Sequence, residues 1–375
     1  MDLVLKGGRV IDPANRLDAT VDVGFSAGKV AAVGRGLAGE ETRDVSGHIV
    51  CPGLIDLHTH VYWGGTSLGI DADEFCRTCG VTTSVDTGSA GPGNFAGFRS
   101  HVIERSEARI LAYLHVSFAG IYGFGSEVAV GESEDIRLMA PVSAAKVAEE
   151  NRDVIVGIKI RLGRHASGDQ GLAPLQYALD VAEETGLPIM AHIDEPPPSY
   201  GELVERLRPG DVLTHCFRPF PNTPVGAQGR IRDEVIEARE RGVFFDVGHG
   251  MGSFSFKTAR AMLAQGFMPD TISSDVHQLC INGPAYDQTV TMSKLLCMGM
   301  ELDQVIAAST INAAQALRRP ELGTFSPGAV GDATVLKLEN GPVQYEDVLG
   351  EVLDAEQQLF SRGVVIGGKW WWPEG

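Results

Sequence analysis

Basic residues are scarce in this chain: 31 Lys and Arg stand against 49 Asp and Glu among 375 residues, a formal net charge of −18. Nucleic acid and anionic membrane surfaces are therefore not expected partners, because phosphate binding is carried by clustered Lys and Arg. Cysteine is sparse too, with Cys51, Cys76, Cys79, Cys216, Cys280 and Cys297 scattered through apolar stretches. That scatter excludes the evenly spaced framework of a small disulfide-rich domain, and buried free thiols are expected. Cys76-Arg77-Thr78-Cys79 has a metal or redox spacing, but one C-x-x-C without a second half reads as core packing. No segment reaches the roughly 18 consecutive apolar residues of a membrane span. Met1-Asp2-Leu3-Val4-Leu5-Lys6-Gly7-Gly8 lacks the basic start and continuous apolar run of a signal peptide. The expectation is a cytoplasmic metabolic protein acting on a small molecule, able to form a homo-oligomer.

Residues 1–52 are Gly-rich and strand-like, with β runs at Val21–Gly24, Lys29–Val33 and His48–Cys51 separated by turn residues. From Gly53 short apolar runs alternate with longer helical stretches, which predicts βα units around a parallel sheet. The expected strands are Leu54–Leu57, Thr82–Asp86, Ala112–Phe118, Val154–Ile160, Pro188–His192, Asp211–His215, Val243–Val247 and Thr271–Ser274. Helices are expected over Pro141–Asn151, Ala173–Thr185, Arg230–Arg241, Phe256–Gln265 and Leu302–Ser309, from apolar residues three and four apart. Eight such repeats over roughly 270 residues match a TIM barrel, whereas the rival doubly wound open sheet usually has fewer strands. Strand-like patterns return at Ala333–Leu338 and Gly363–Ile366, running into Lys369-Trp370-Trp371-Trp372. The α/β architecture predicted is thus a distorted (β/α)8 barrel over 53–321, with a small β domain assembled from 1–52 and 322–375. The Trp run reads as the hydrophobic edge of that domain, a core or dimer contact rather than a ligand platform.

Barrel enzymes carry their sites where strands end at the C-terminal face. Here those ends hold Asp56-Leu57-His58-Thr59-His60, Lys159-Ile160-Arg161, Ala191-His192, Thr214-His215 and Ser273-Ser274-Asp275. His58 and His60 stand two apart on extended chain, so both imidazoles share one face. Singly, His192 or His215 would read as a hydrogen-bonded structural histidine; jointly with Asp275 at the ends of separate strands they point to a metal cluster. Lys159 lies in an otherwise apolar strand, where a buried ammonium needs a counter-charge. Beside cations it would be repelled, while two metal ions about 3.5–4 Å apart require a bridging anion, which a lysine carbamate supplies.

Leu3-Val4-Leu5-Lys6-Gly7-Gly8-Arg9-Val10-Ile11-Asp12 followed by Val50-Cys51-Pro52-Gly53-Leu54-Ile55-Asp56-Leu57-His58-Thr59-His60 resembles the opening of the amidohydrolase superfamily. The likeness continues through the strand-end residues to Pro327-Gly328 and Gly331-Asp332-Ala333. It implies a barrel with two zinc ions: His58 and His60 on the more buried, His192 and His215 on the more exposed, carboxylated Lys159 bridging both, and Asp275 on the first. Such a pair would lower the pKa of a shared water, and hydroxide attack on a carbonyl would follow with Asp275 shuttling the proton. Arg161 stands ready for a substrate carboxylate or for a salt bridge to an acidic loop residue. Tyr122 and the Gly248-His249-Gly250-Met251-Gly252-Ser253 loop are expected at the mouth, with His249 stabilising an oxyanion or capping its loop, and His277 of similar standing.

Dihydroorotases usually carry Arg two positions after the second His of strand 1, where this chain has Tyr62. Adenosine-type deaminases lack the strand 4 lysine. A non-catalytic scaffold would have lost ligands that are all present here. Gly157-Ile158-Lys159-Ile160-Arg161, Asp246-Val247-Gly248-His249-Gly250 and Ser273-Ser274-Asp275-Val276-His277 most resemble the dihydroorotase-like subgroup that deacetylates small hydroxy or amino acids.

Overall fold

A computed structural model of the chain describes residues 1–371. The middle of the chain forms a seven-stranded parallel sheet whose spatial order follows the sequence: β6 (Leu54–Thr59), β7 (Val81–Thr87), β8 (Arg109–His115), β9 (Ile155–Leu162), β10 (Ile189–Ile193), β11 (Val212–Leu213) and β12 (Phe244–Phe245). Parallel neighbours cannot be joined by hairpins, so each connection crosses over, most of them through a helix. Every residue of β6, β7 and β9 is buried, so their sequences show no alternation of apolar and polar faces, and β7 buries the hydroxyls of Thr82, Thr83 and Ser84.

The helices start and stop where side chains satisfy their ends. Asp71 caps Ala72–Cys79 by accepting from Glu74 N at 3.0 Å, and Gly80 at φ 84° ends it. Ser199 and Glu202 close a reciprocal capping box on Tyr200–Val204. Ala173–Thr185 has the expected bounds, with Gly186 in the left-handed conformation after it.

The expected eighth strand differs. Residues 271–276 touch both outer strands of the curled sheet through single parallel bridges, Asp246 to Thr271 and Thr59 to Val276, and form no ladder. Asp275 has φ 48°, outside the extended region, so the backbone turns there instead of continuing.

A second sheet takes strands from both ends of the chain. Its order is β15 (Lys369–Trp370), β14 (Val352–Ile366), β13 (Ala333–Glu346), β5 (Ile49–Pro52), β1 (Leu3–Asp12), β2 (Leu17–Ser26) and β3 (Lys29–Gly34), with β4 (Glu41–Asp44) also on β1. Its own core gathers Leu3, Leu5, Val10, Val23, Phe25, Phe325 and Val365. The β13–β14 hairpin is longer than the sequence pattern implied, because its outer half is half-exposed and polar. Trp370 pairs within β15 opposite Val365, and Trp371 lies over Arg77 at 4.5 Å; Trp372 lies outside the described residues. Cys76 and Cys79 are buried free thiols on the inner face of their helix, as core packing requires. Among the described residues no helix is long and apolar enough to cross a membrane.

Candidate metal centre

A cavity of about 640 Å³ opens where the parallel strands end. His58, His60, Lys159, Arg161, His192, His215, Asp275 and His277 all line it, although they are spread over more than 200 positions of sequence. The fold therefore brings together the whole expected ligand set.

The tautomers follow from the surrounding hydrogen bonds. Thr214 Oγ1 donates to Asp246 at 2.8 Å, so its lone pair must accept from His58 Nδ1 at 2.9 Å. His58 Nε2 then faces the cavity without a proton. His215 Nδ1 donates to the Gly248 carbonyl at 2.7 Å, which leaves its Nε2 bare in the same way. His60 Nδ1 is held at 2.9 Å by Ser89 Oγ, and Ser89 N donates to Asp86.

The cavity-facing nitrogens meet groups that leave them without an ordinary hydrogen-bond partner or crowd them against a carboxylate. His58 Nε2 and His60 Nε2 lie 3.1 and 3.2 Å from Asp275 Oδ1, and the three ligand atoms fall within 4.8 Å of one another. Lone pair against carboxylate at this distance needs a proton or a cation between them. Burial pushes His58 well below the ordinary imidazole range and His60 down to about 3, so both rings are neutral at neutral pH, and His58, whose one proton sits on Nδ1 toward Thr214, has none at Nε2. His192 Nε2 and His215 Nε2 are buried with no hydrogen-bond partner, their rings 4.6 Å apart. Buried nitrogen donors left unpaired in such number fit divalent cations, for which neutral imidazole and carboxylate are ordinary ligands.

Lys159 is fully buried with Nζ 3.4 Å from His58 Nε2, and burial brings its pKa down to about 7. Asp275 is pushed up to about 6, again by burial. Its position is enforced from two sides: its N–H donates to the His58 carbonyl at 2.8 Å, and Gly250 leaves room that a Cβ would fill 2.2 Å from Oδ2. Asp275 and His215 (φ 67°) both hold left-handed backbone without being glycine, strain that collects at functional sites.

The remaining expected residues divide. Arg161 lines the cavity, but Nη1 already meets buried Glu132 at 3.2 Å, the acidic loop partner left open by the sequence. Burial alone would raise Glu132; Arg161 and His115 beside it bring it below its ordinary value. His277 lines the cavity with its ring 5.9 Å from that of His60. Tyr122 is exposed and borders a separate pocket formed with Gly64–Ser67, Gly123 and Gly125–Val128, so it is not part of the central cavity. His249 is buried outside the cavity lining, stacked on Phe254 at 4.6 Å and 2.7 Å from Lys294 Nζ. Its Nδ1 lies 2.9 Å from the Gly250 carbonyl of its own loop. Glu132, Arg218 and Lys294 were not singled out from sequence. Only Lys294, an isolated charge in an apolar helix, left a signal that could have been read.

The model of the amidohydrolase family matches residues 49–207 and 253–371. A deacetylase of Agrobacterium fabrum is 36% identical over 352 residues, covering 91% of this chain and 84% of the relative. A deacetylase of Enterococcus faecalis is 30% identical, covering 98% of each chain. The dihydroorotase of Trichlorobacter lovleyi is 53% identical over 64 residues, 16% of this chain and 15% of its own. A solved structure described as an adenine deaminase superposes with TM-score 0.91 at 30% identity, over 98% of this chain and 99% of that one. Another, described as a dihydroorotase, gives 0.89 at 34% identity over 98% of both. With the family match spanning most of its length and relatives sharing a third of its residues end to end, the chain belongs to the amidohydrolase family and is a hydrolase.

Proposed function

We propose that this hydrolase removes an acyl group, acetyl in the simplest case, from a small hydroxy or amino acid, using two zinc ions. In the same reading residues 53–321 close into a distorted (β/α)8 barrel with 271–276 as its eighth stave, and 1–52 with 322–375 form the small β domain. The observation that carries it is the set of buried imidazole nitrogens converging with Asp275 and Lys159 on one cavity. His58, His60 and Asp275 would hold one ion, His192 and His215 the other, with Lys159 as a carbamate between them. An amine whose pKa falls to about 7 has a substantial neutral fraction at physiological pH, the form that adds carbon dioxide.

Bound there, such ions supply Lewis acidity toward a substrate carbonyl and bring the pKa of water near 7. Asp275 takes the proton from the attacking water and delivers it to the leaving oxygen or nitrogen, a shuttle favoured by a carboxyl poised at about 6. Thr214 and Ser89 hold the His58 and His60 rings in orientation. Arg161, His277 and the cavity rim contact the substrate, and His249 with Lys294 fixes the loop that carries Gly250.

The deacetylase relatives match along most of the chain, as does the solved structure described as a dihydroorotase, so the choice of a deacylase rests on the residues of the site. Tyr62 supports the same choice. Its hydroxyl donates to the Asn94 carbonyl at 3.3 Å and its ring packs on Phe98 at 4.6 Å, so no cation reaches the cavity from that position. The test is a screen of N-acetyl-D-amino acids and O-acetyl-2-hydroxy acids beside dihydroorotate and adenine. Acetate release is expected; turnover of dihydroorotate alone would contradict the proposal.

A further inference from the structure

Arg218 follows His215 by three residues and lines the same cavity, yet only 6% of its surface is exposed. Its backbone N–H donates to the His215 carbonyl at 3.1 Å and its Nη1 to the Ile193 carbonyl. The side chain is thereby fixed between the strand ends that carry His192 and His215. Nε is buried without a hydrogen-bond partner, and Nη2 has none among the described residues. No carboxylate of the described residues comes within 4.0 Å of it. Asp194 and Glu195 act on it only through space, and Asp194 is taken up by the N–H groups of His165 and Ala166.

The other cavity-lining guanidinium groups differ in this respect. Arg161 is neutralised by Glu132, itself buried. Arg164 is more than half exposed and faces Asp169 at 3.5 Å. A guanidinium cannot shed its proton, so burial without a counter-ion is a standing electrostatic cost unless a ligand brings the negative charge.

We infer that Arg218 is the residue that binds the substrate's carboxylate and so selects anionic acyl compounds. The inference rests on the deacylase reading and refines it by moving charge recognition from Arg161 to Arg218. Fixed by Ile193, the planar fork needs no further ordering to grip a carboxylate.

The test is calorimetric titration of the zinc-loaded protein with 2-hydroxyhexanoate and, separately, 2-hydroxyhexanamide, alongside hydrolysis of their O-acetyl esters. The wild type should bind the carboxylate at least about tenfold tighter than the amide, the scale of one charge-assisted contact. Arg218→Met should lose that preference, weakening carboxylate binding more than amide binding, while the paired change Arg161→Met with Glu132→Gln keeps it. Arg218→Gln, which can still donate to Ile193, repeats the test where the Met variant does not fold. A folded Arg218 variant that still prefers the carboxylate, or a wild type that does not, would overturn the assignment. Loss of the preference in the variant with no acetate released by the wild type would uphold Arg218 as an anion site and sink the deacylase reading. Acetate release with the preference untouched by Arg218 variants would do the reverse.

Discussion

Gly250→Ala tests whether the place of Asp275 is set by the backbone around it. An added Cβ would sit 2.2 Å from Asp275 Oδ2 and 3.1 Å from its Cγ. Ordinary carbon contact needs roughly 3.5 Å, so the carboxylate must retreat by about 1 Å. Alanine at φ 54° adds backbone strain of about 1–2 kcal/mol. A displacement of about 1 Å in a group that must lie in line with water and leaving atom costs on the order of a hundredfold in rate, about 2.7 kcal/mol. The expected outcome is a fall of that size in kcat/KM for an acetylated substrate, with a Tm lower by a few degrees and weaker zinc retention. Gly226→Ala is the control, since its Cβ would meet nothing closer than Arg230 O at 3.7 Å. A kcat/KM for Gly250→Ala within about threefold of wild type would mean that Asp275 is not the proton carrier held where we place it.

Thr214→Val removes both the acceptor that orients His58 and a donor to Asp246; zinc retention or activity should drop roughly 10–100-fold, read by metal analysis after dialysis. Lys159→Met should abolish a carbamate signal seen by NMR after incubation with labelled bicarbonate, and with it the second metal ion; an unchanged signal would place the modification elsewhere. Asp275 must be ionised to accept a proton, so kcat/KM should fall with slope one as pH drops. The midpoint should lie at or below about 6, because a bound cation lowers a carboxyl that burial alone holds there. A midpoint clearly above about 6, or a rate that rises as the pH drops, would contradict the role.

The ligand set was legible because its spacing is local to each strand: two histidines two apart, and one polar residue where each apolar run ends. Burial on both faces made β9 and β10 readable as largely apolar stretches. Thr271–Ser274 reads as a strand for the same reason, yet its neighbours allow only single bridges and Asp275 turns the backbone. Glu132 and Arg218 lie in loops, where no periodicity says which side chains fold inward; only the contact with Arg161 or the missing contact around Arg218 marks them. Tyr122 and His249 follow strands β8 and β12 as expected, but loop direction carries one into a separate pocket and the other against Phe254.

The most direct test of the metal centre is a crystal structure of the zinc-loaded protein with anomalous data collected on both sides of the zinc edge. Two peaks should appear, one among His58, His60 and Asp275 and one between His192 and His215, with density beyond Lys159 Nζ joining them. Side chains in place around solvent, with no anomalous peak in protein that retains zinc, would show that the metal lies elsewhere and that these imidazoles serve another purpose.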